Sequence, residues 1–281
     1  MARLMTYRAL LLLCVSVSTV VGLSDQVSQR PLPSDDAAKL RDVMWLWALD
    51  LHDLKTAHNL GITNIQRAIG HDLVPLREGE QELLNTSGRV TCEINAGNDF
   101  NFAPQLTQVQ AWAREFPNIE AVLLDDMSTG KISRGLRPEH LARLCRQLQS
   151  EPRPLSLWGV IYTMSIDPQR PQYVANIADY MRYLDVISLW TWQAKDIPKM
   201  EENLARCEQL SGGKPVMLGL YLMGVPQDLM EQQCELARKW AHEGRIMGML
   251  FLLGPGGDYG ADTPILNWWR AWIEQVGDEP L

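Results

Sequence analysis

Beyond residue 42 the chain alternates short apolar runs with amphipathic stretches. The apolar runs are 43–50, 62–70, 89–97, 119–126, 155–164, 184–192, 216–223 and 246–253. Each has strand length and is bounded by turn or polar residues, which predicts eight β-strands. Between them, apolar residues recur at helical spacing. Residues 104–116 carry Leu106, Val109, Ala113 and Phe116, and residues 138–148 carry Leu141, Leu144, Cys145 and Leu148. Residues 226–242 carry Leu229, Cys234, Ala237 and Trp240, and residues 264–276 carry Leu266, Trp269, Trp272 and Ile273. Several of these stretches have proline near the first turn, where its missing N–H costs nothing. Eight alternating units predict an α/β chain folded as one (β/α)8 TIM barrel over residues 42–281. A doubly wound open sheet is the alternative, but no strand–GxGxxG–helix signature favours it.

The segment before the barrel reads differently. Arg3 and Arg8 precede an uncharged apolar or small stretch over residues 9–24. That is short for a membrane span and fits the apolar region of a signal peptide. Residues 1–24 are therefore expected to be a signal peptide and residues 25–41 a linker. A secreted or periplasmic protein follows, with no stable membrane insertion after cleavage. Loop lengths are also uneven. Helix-to-strand connections are short, as at 116–118 and 212–214, whereas strand-to-helix connections are long and polar, as at 95–103, 126–138, 163–171 and 254–263. In this fold the strand-to-helix face carries the site.

Composition narrows the function. Hydrophobic residues make up 46% of the chain, enough for a sizeable core. The formal charge is −8, and without Arg3 and Arg8 there remain 24 basic against 34 acidic residues, or −10. No basic stripe is present, which argues against a nucleic-acid partner. Cys92, Cys145, Cys207 and Cys234 show no zinc spacing. Of these, Cys207 and Cys234 on consecutive helices are the one pair considered for a disulfide. No cofactor and no metal is predicted. Ten tryptophans, by contrast, are unusually many.

The strand ends carry the candidate chemistry. Side chains alternate faces along a strand. On the third strand Val90, Cys92 and Ile94 form an apolar phase, so Thr91, Glu93 and Asn95 should line the barrel. A charged group there needs a partner or water, and Arg67 on the neighbouring strand is the expected partner of Glu93. The fourth strand ends in Leu123-Leu124-Asp125-Asp126. One carboxylate should face the axis and the other a neighbouring loop, but both phases of that strand are apolar and do not say which. On the sixth strand Ser188, Trp190 and Trp192 share a phase. Flat indole faces at a barrel mouth suit the C–H faces of sugars. Trp47 on the first strand, Tyr162 on the fifth and Tyr221 on the seventh add to them. Asp50 is expected to cap a short helix. His71 could donate to a ligand, the glycine-rich loop at 254–260 has only weak phosphate-site character, and Lys131 and Arg134 could meet an anionic sugar or simply be solvated.

With Leu123-Leu124-Asp125-Asp126, Ile187-Ser188-Leu189-Trp190-Thr191-Trp192, Lys214-Pro215-Val216-Met217-Leu218-Gly219-Leu220-Tyr221 and Gly248-Met249-Leu250-Phe251 in place, the chain resembles the secreted glycoside-hydrolase-like barrel superfamily. The resemblance is one of pattern and implies the barrel and a carbohydrate ligand. Chitinase-like families carry DxxDxDxE on the fourth strand. This chain has only Asp125-Asp126 there, so no catalytic residue carries over. The residues themselves suggest a glycosidase with Asp125 or Asp126 in one carboxyl role and Glu93 in the other. Trp190, Trp192, Tyr221, Asn95, Trp47, Tyr162 and Arg67 would then contact the sugar. A non-catalytic carbohydrate-binding barrel is an alternative. A metal-dependent hydrolase using Glu93, Asn95, Asp99 and the aspartate pair is another.

Overall fold

The computed structural model describes residues 38–68, 76, 79–95, 100–149, 153–170, 177–253 and 264–281. The expected signal segment, most of the linker, His71, Asp99 and the loop at 254–260 lie outside them. Eight parallel strands follow one another around a closed barrel. They are β1 (Met44–Ala48), β2 (Asn64–Arg67), β3 (Val90–Ile94), β4 (Ile119–Leu124), β5 (Ser156–Tyr162), β6 (Val186–Trp190), β7 (Val216–Tyr221) and β8 (Gly248–Leu252). Every neighbouring pair is parallel, and β8 closes on β1 through Met44↔Met249 and Leu46↔Phe251. An open sheet is thereby excluded.

Helices cover the outside: α1 (Leu51–Asn59), α2 (Glu80–Thr86), α3 (Ala103–Glu115), α4 (Pro138–Leu148), α5 (Ile177–Met181), α6 (Met200–Ser211), α7 (Gln227–His242) and α8 (Pro264–Val276). Asp50 caps α1 as its sequence position suggests. Its Oδ1 accepts from the backbone N–H of His52 (2.8 Å) and Asp53 (3.1 Å). No helix among the described residues is long and apolar enough to cross a membrane. Residues 38–41, the end of the expected linker, lie against the C-terminus. Lys39 bridges Pro280, and Leu40 N–H donates to Glu279 O at 2.8 Å. Cys92, Cys145, Cys207 and Cys234 are all free thiols, so the Cys207–Cys234 pairing is not formed.

The alternation of strand side chains makes two cores. Outward residues such as Leu46, Ile65, Cys92, Ile94, Val122 and Leu218 pack under the helices. Inward residues form a second cluster that includes Trp45, Trp47, Leu123, Trp158, Tyr162, Trp190, Met217 and Leu250. Indoles fill much of this lumen. Trp45 and Trp158 meet at 5.1 Å between ring centroids, and Trp47 and Trp190 meet edge-on at 5.5 Å. Room for Trp190 comes from Gly219, its register partner on β7. A Cβ on that glycine would land inside the indole. The Trp190 N–H donates to Ser188 Oγ at 2.8 Å, so this buried donor is satisfied. At the opposite end, Arg89 lies over Trp45 at 5.3 Å while its Nε donates to Glu120 at 2.7 Å.

Candidate active site

The inward phase of β3 ends in Glu93 and Asn95, as its polar alternation predicts. The inward phase of β4 runs Ala121, Leu123 and then Asp125, which resolves the ambiguity of that strand in favour of Asp125. Glu93 pairs in register with Leu123, so Asp125 stands two residues higher on the adjacent strand. Both carboxylates therefore belong to the carboxyl-terminal rim.

Asp126 then turns away in a left-handed conformation (φ 48°, ψ 30°). Only small polar residues and glycine adopt it at low cost, and such strain gathers at functional sites. The turn puts the Asp126 carboxylate against Tyr162, whose hydroxyl donates to Oδ1 at 2.6 Å. It also starts one π-helical turn, Met127–Lys131, in which Lys131 N–H donates to Asp126 O at 2.9 Å. A side chain on Gly130 would press on Asp126 Cβ at 3.1 Å, so glycine keeps this coil compact.

The π turn returns Lys131 to the barrel axis. Its side chain is not solvated, as its loop position allowed, but 1% exposed. The ammonium donates to Asn95 Oδ1 at 2.6 Å and to the Asp125 carbonyl oxygen, and Asn95 Nδ2 donates to Glu93 Oε1. One cation and one amide thus link the ends of β3 and β4. Asp126 N–H also donates to Asp125 Oδ1 at 2.7 Å. Sequence reasoning missed the centrality of Lys131, because an isolated lysine in a polar loop carries no periodic signal.

Burial sets the protonation states. It pushes the Glu93 carboxyl up to about 8, helped by the negative charge of Asp125 and opposed by Lys131 and the Asn95 hydrogen bond. Asp125 rises to about 6, first through burial and then through Asp126, with Lys131 opposing. Burial lowers Lys131, and the surrounding carboxylates partly restore it. Burial also raises the hydroxyls of Tyr162 and Tyr221, keeping both protonated. Burial and mutual repulsion thus favour the protonated form at both carboxyls, at Glu93 more than at Asp125, and a pair of carboxyls with unequal hold on a proton is what acid–base chemistry uses.

Aromatic residues build one wall of the mouth. Trp192 is 55% exposed, and it meets Tyr162 edge-on at 5.4 Å and Tyr221 at 5.9 Å. Trp47 and Trp190 lie below, buried in barrel packing instead of facing a ligand. Arg67 does not serve as the expected partner of Glu93. Its guanidinium pairs with the buried Glu80 at 2.9 Å and donates to Leu49 O at 3.2 Å, because α2 brings Glu80 over the end of β2. Among the described residues no group of three or more His, Cys, Asp or Glu is placed to hold a metal. Of the oxygen ligands considered for a cation, Asn95 Oδ1 is taken by the Lys131 ammonium.

These features define a (β/α)8 barrel with a carboxylate–lysine cluster and an aromatic wall at its carboxyl-terminal mouth. No protein-family profile matches the chain, and no curated protein is similar to it in sequence. Solved structures share the fold. A GH18 chitinase from Pseudoalteromonas aurantia superposes with a TM-score of 0.59 at 12% identity, covering 83% of this chain and 99% of that one. A glycoside hydrolase family 17 β-1,3-glucanosyltransferase from Rhizomucor miehei gives 0.53 at 12% identity over 76% and 87% of the two chains. A family 18 chitinase from Crocus vernus gives 0.52 at 12% identity over 82% and 99%. The chain is thus a TIM barrel with glycoside hydrolases among its structural neighbours, and identity this low speaks to fold alone.

Proposed function

We propose that this protein is a glycoside hydrolase-like enzyme acting on a carbohydrate, with Glu93 as general acid and Asp125 as nucleophile or base. Glu93 would give its proton to the leaving glycosidic oxygen. Asp125 would attack the anomeric carbon or take a proton from the attacking water. Asp126 and Tyr162 would orient the sugar, and Trp192 with Tyr221 would carry its apolar face. The observation that carries this reading is that Glu93 and Asp125 stand on adjacent strand ends, tied together through Asn95 and Lys131, at a mouth that also presents the exposed indole of Trp192. The N-terminal sequence supports export of the protein, and sequencing the N-terminus of mature protein from its host checks that part.

One observation favours a second reading, a barrel that binds carbohydrate without cleaving it. Glu93 is 6% exposed and hydrogen-bonded to Asn95, which restricts its access to a glycosidic oxygen. A reducing-end assay over a broad glycan panel separates the two. The enzyme reading expects turnover that falls by roughly 10²–10⁴-fold in Glu93→Gln and Asp125→Asn, with sugar binding kept. Wild-type protein that binds a glycan without turnover supports the binding barrel. Protein that neither binds nor cleaves any glycan refutes both.

A further inference from the structure

The lumen beneath the mouth holds two bare polar atoms on adjacent strands. Gln66 on β2 and Thr91 on β3 are register partners. Ile65 on one strand and Val90 and Cys92 on the other pack outward under the helices, so Gln66 and Thr91 face the barrel interior. Both residues are fully buried. Gln66 Nε2 reaches the Arg67 carbonyl at a long 3.4 Å. Gln66 Oε1 and Thr91 Oγ1 have no partner among the described residues. The other buried atoms without one belong to Asp53, Arg67, Gln193 and Trp269, and no two of those residues are register partners.

Buried polar groups are nearly always paired, so two bare ones side by side call for a shared partner. Gln66 Oε1 only accepts, whereas the Thr91 hydroxyl both donates and accepts. The partner must therefore donate to the amide and accept from the hydroxyl. It must also be small, because Trp47 flanks Gln66 in register on β1. On the other side Thr91 meets Ala121 of β4, whose lone methyl group leaves room beside the hydroxyl. One water molecule meets these terms, and a buried water typically takes about three hydrogen bonds. Glu93 supplies the third. It stands two residues above Thr91 on the same face of β3, about 6.6 Å along the strand. Two hydrogen bonds of about 2.8 Å through one water cover most of that span. Glu93 Oε1 already accepts from Asn95 Nδ2 and keeps one lone pair.

We propose that Gln66 and Thr91 are positioning residues that hold one buried water beneath Glu93, and that this water donates its second hydrogen to Glu93 Oε1. With both lone pairs of Oε1 engaged, the acid proton sits on Oε2. The inference rests on the reading of Glu93 as general acid and adds how its proton is placed. The charges acting on Glu93 are Asp125 and Asp126 at the end of β4 and Lys131 beyond it, while Arg67, the charged residue of β2, is paired with Glu80. The test leaves all of them in place. Thr91→Val and Gln66→Met remove the two polar atoms with little change of volume. Carbon-13 NMR titration then follows the Glu93 carboxyl without substrate, and Glu93→Gln assigns its signal. A water that donates to the carboxylate favours the ionised form. Each variant should therefore move the Glu93 midpoint up by roughly one pH unit, and Thr91→Ser, which keeps the hydroxyl, should titrate as wild type. A crystal structure should place a water within about 3.2 Å of both Gln66 Oε1 and Thr91 Oγ1. Melting curves check folding, and either variant alone carries the test should the other not fold. Atoms that are simply bare give the opposite result: the variants melt above wild type with the Glu93 midpoint unmoved, and that outcome overturns the proposal, as does a crystal structure without that water. A midpoint that moves in protein cleaving no glycan upholds the water and its hold on Glu93 while refuting the acid role.

Discussion

Replacing Lys131 with methionine removes the one charge that holds the rim carboxylates near neutrality while keeping most of the side-chain volume. In the native site the Lys131 ammonium opposes the upward push of burial on both Asp125 and Glu93. An opposite charge within about 4–6 Å is worth 1–3 pKa units to a carboxyl group. Without it, Asp125 should climb from about 6 to roughly 7–9. The ionised share of Asp125 at pH 7 then drops from about nine-tenths to between one-half and one-hundredth. Turnover that depends on that carboxylate should fall about tenfold at pH 7, within a range of roughly 2- to 100-fold. Glu93 rises as well and stays protonated, so activity should return as the pH is raised. In the wild type, kcat/KM should climb through pH 6 as Asp125 ionises and decline through pH 8 as Glu93 loses its proton. In the variant both limbs should move to higher pH. Carbon-13 NMR titration of the carboxyl groups reads the same displacement without substrate, with Asp125→Asn assigning the signal. A uniform drop in rate with the acid limb still near 6, or an unmoved Asp125 titration, would refute the electrostatic role given to Lys131.

Three further outcomes follow from the packing. Glu93 binds its proton more tightly in the folded chain than in the unfolded one, with a pKa of about 8 against 4.5. Its contribution to stability is thus most favourable below pH 4.5 and declines as the pH rises toward 8. Glu93→Gln should accordingly melt above the wild type, by a margin that widens from pH 5 to pH 8; parallel melting curves across that range contradict this. Trp192→Ala should cost about 1–3 kcal/mol, the worth of its two edge contacts with Tyr162 and Tyr221, and should weaken carbohydrate binding by about tenfold, the worth of one aromatic contact. Calorimetry that shows full affinity would remove the indole from the site. Gly219→Ala forces a methyl group into the Trp190 ring and should cost about 1–3 kcal/mol with loss of near-ultraviolet circular dichroism; a variant as stable as wild type would show that the lumen repacks freely.

The barrel was legible because each strand is an uninterrupted or alternating apolar run with a turn at each end. On β3 the polar phase of Thr91, Glu93 and Asn95 pointed straight into the lumen. On β4 the same reasoning stopped, since a parallel strand covered on both sides is apolar in both phases. Which aspartate faces inward is decided by the closure of the sheet, and the left-handed turn at Asp126 reinforces it. Lys131 was hidden for a different reason. Bonds from residues 130 and 131 to the Asp126 carbonyl wind the loop by one unusual turn, and no hydrophobic period announces such a turn. Arg67 went to Glu80, a residue on a helix whose position over β2 only the folded chain reveals.

The distribution of unfavourable features across the barrel argues for function more strongly than any single residue. Glu93, Asp125 and Lys131 are ionisable groups in a buried site, and Asp126 has a strained backbone. Just beneath Glu93, Gln66 and Thr91 are register partners on β2 and β3, and Gln66 Oε1 and Thr91 Oγ1 are buried with no hydrogen bond among the described residues. Each such atom costs about 1–3 kcal/mol, and apolar replacement of buried charged groups is often neutral or stabilising. Across the lumen, Val160, Val186, Met217 and Leu250 pack without any such cost. Selection for folding alone would have spread apolar residues around the whole ring. Instead the buried ionisable groups and the strained turn gather at the ends of β3 and β4, with Gln66 and Thr91 beneath them, although buried unpaired atoms also occur at Asp53, Gln193 and Trp269. Local departures from good packing that cluster at one rim of an otherwise well-formed fold are the pattern expected where chemistry, not stability, chose the residues.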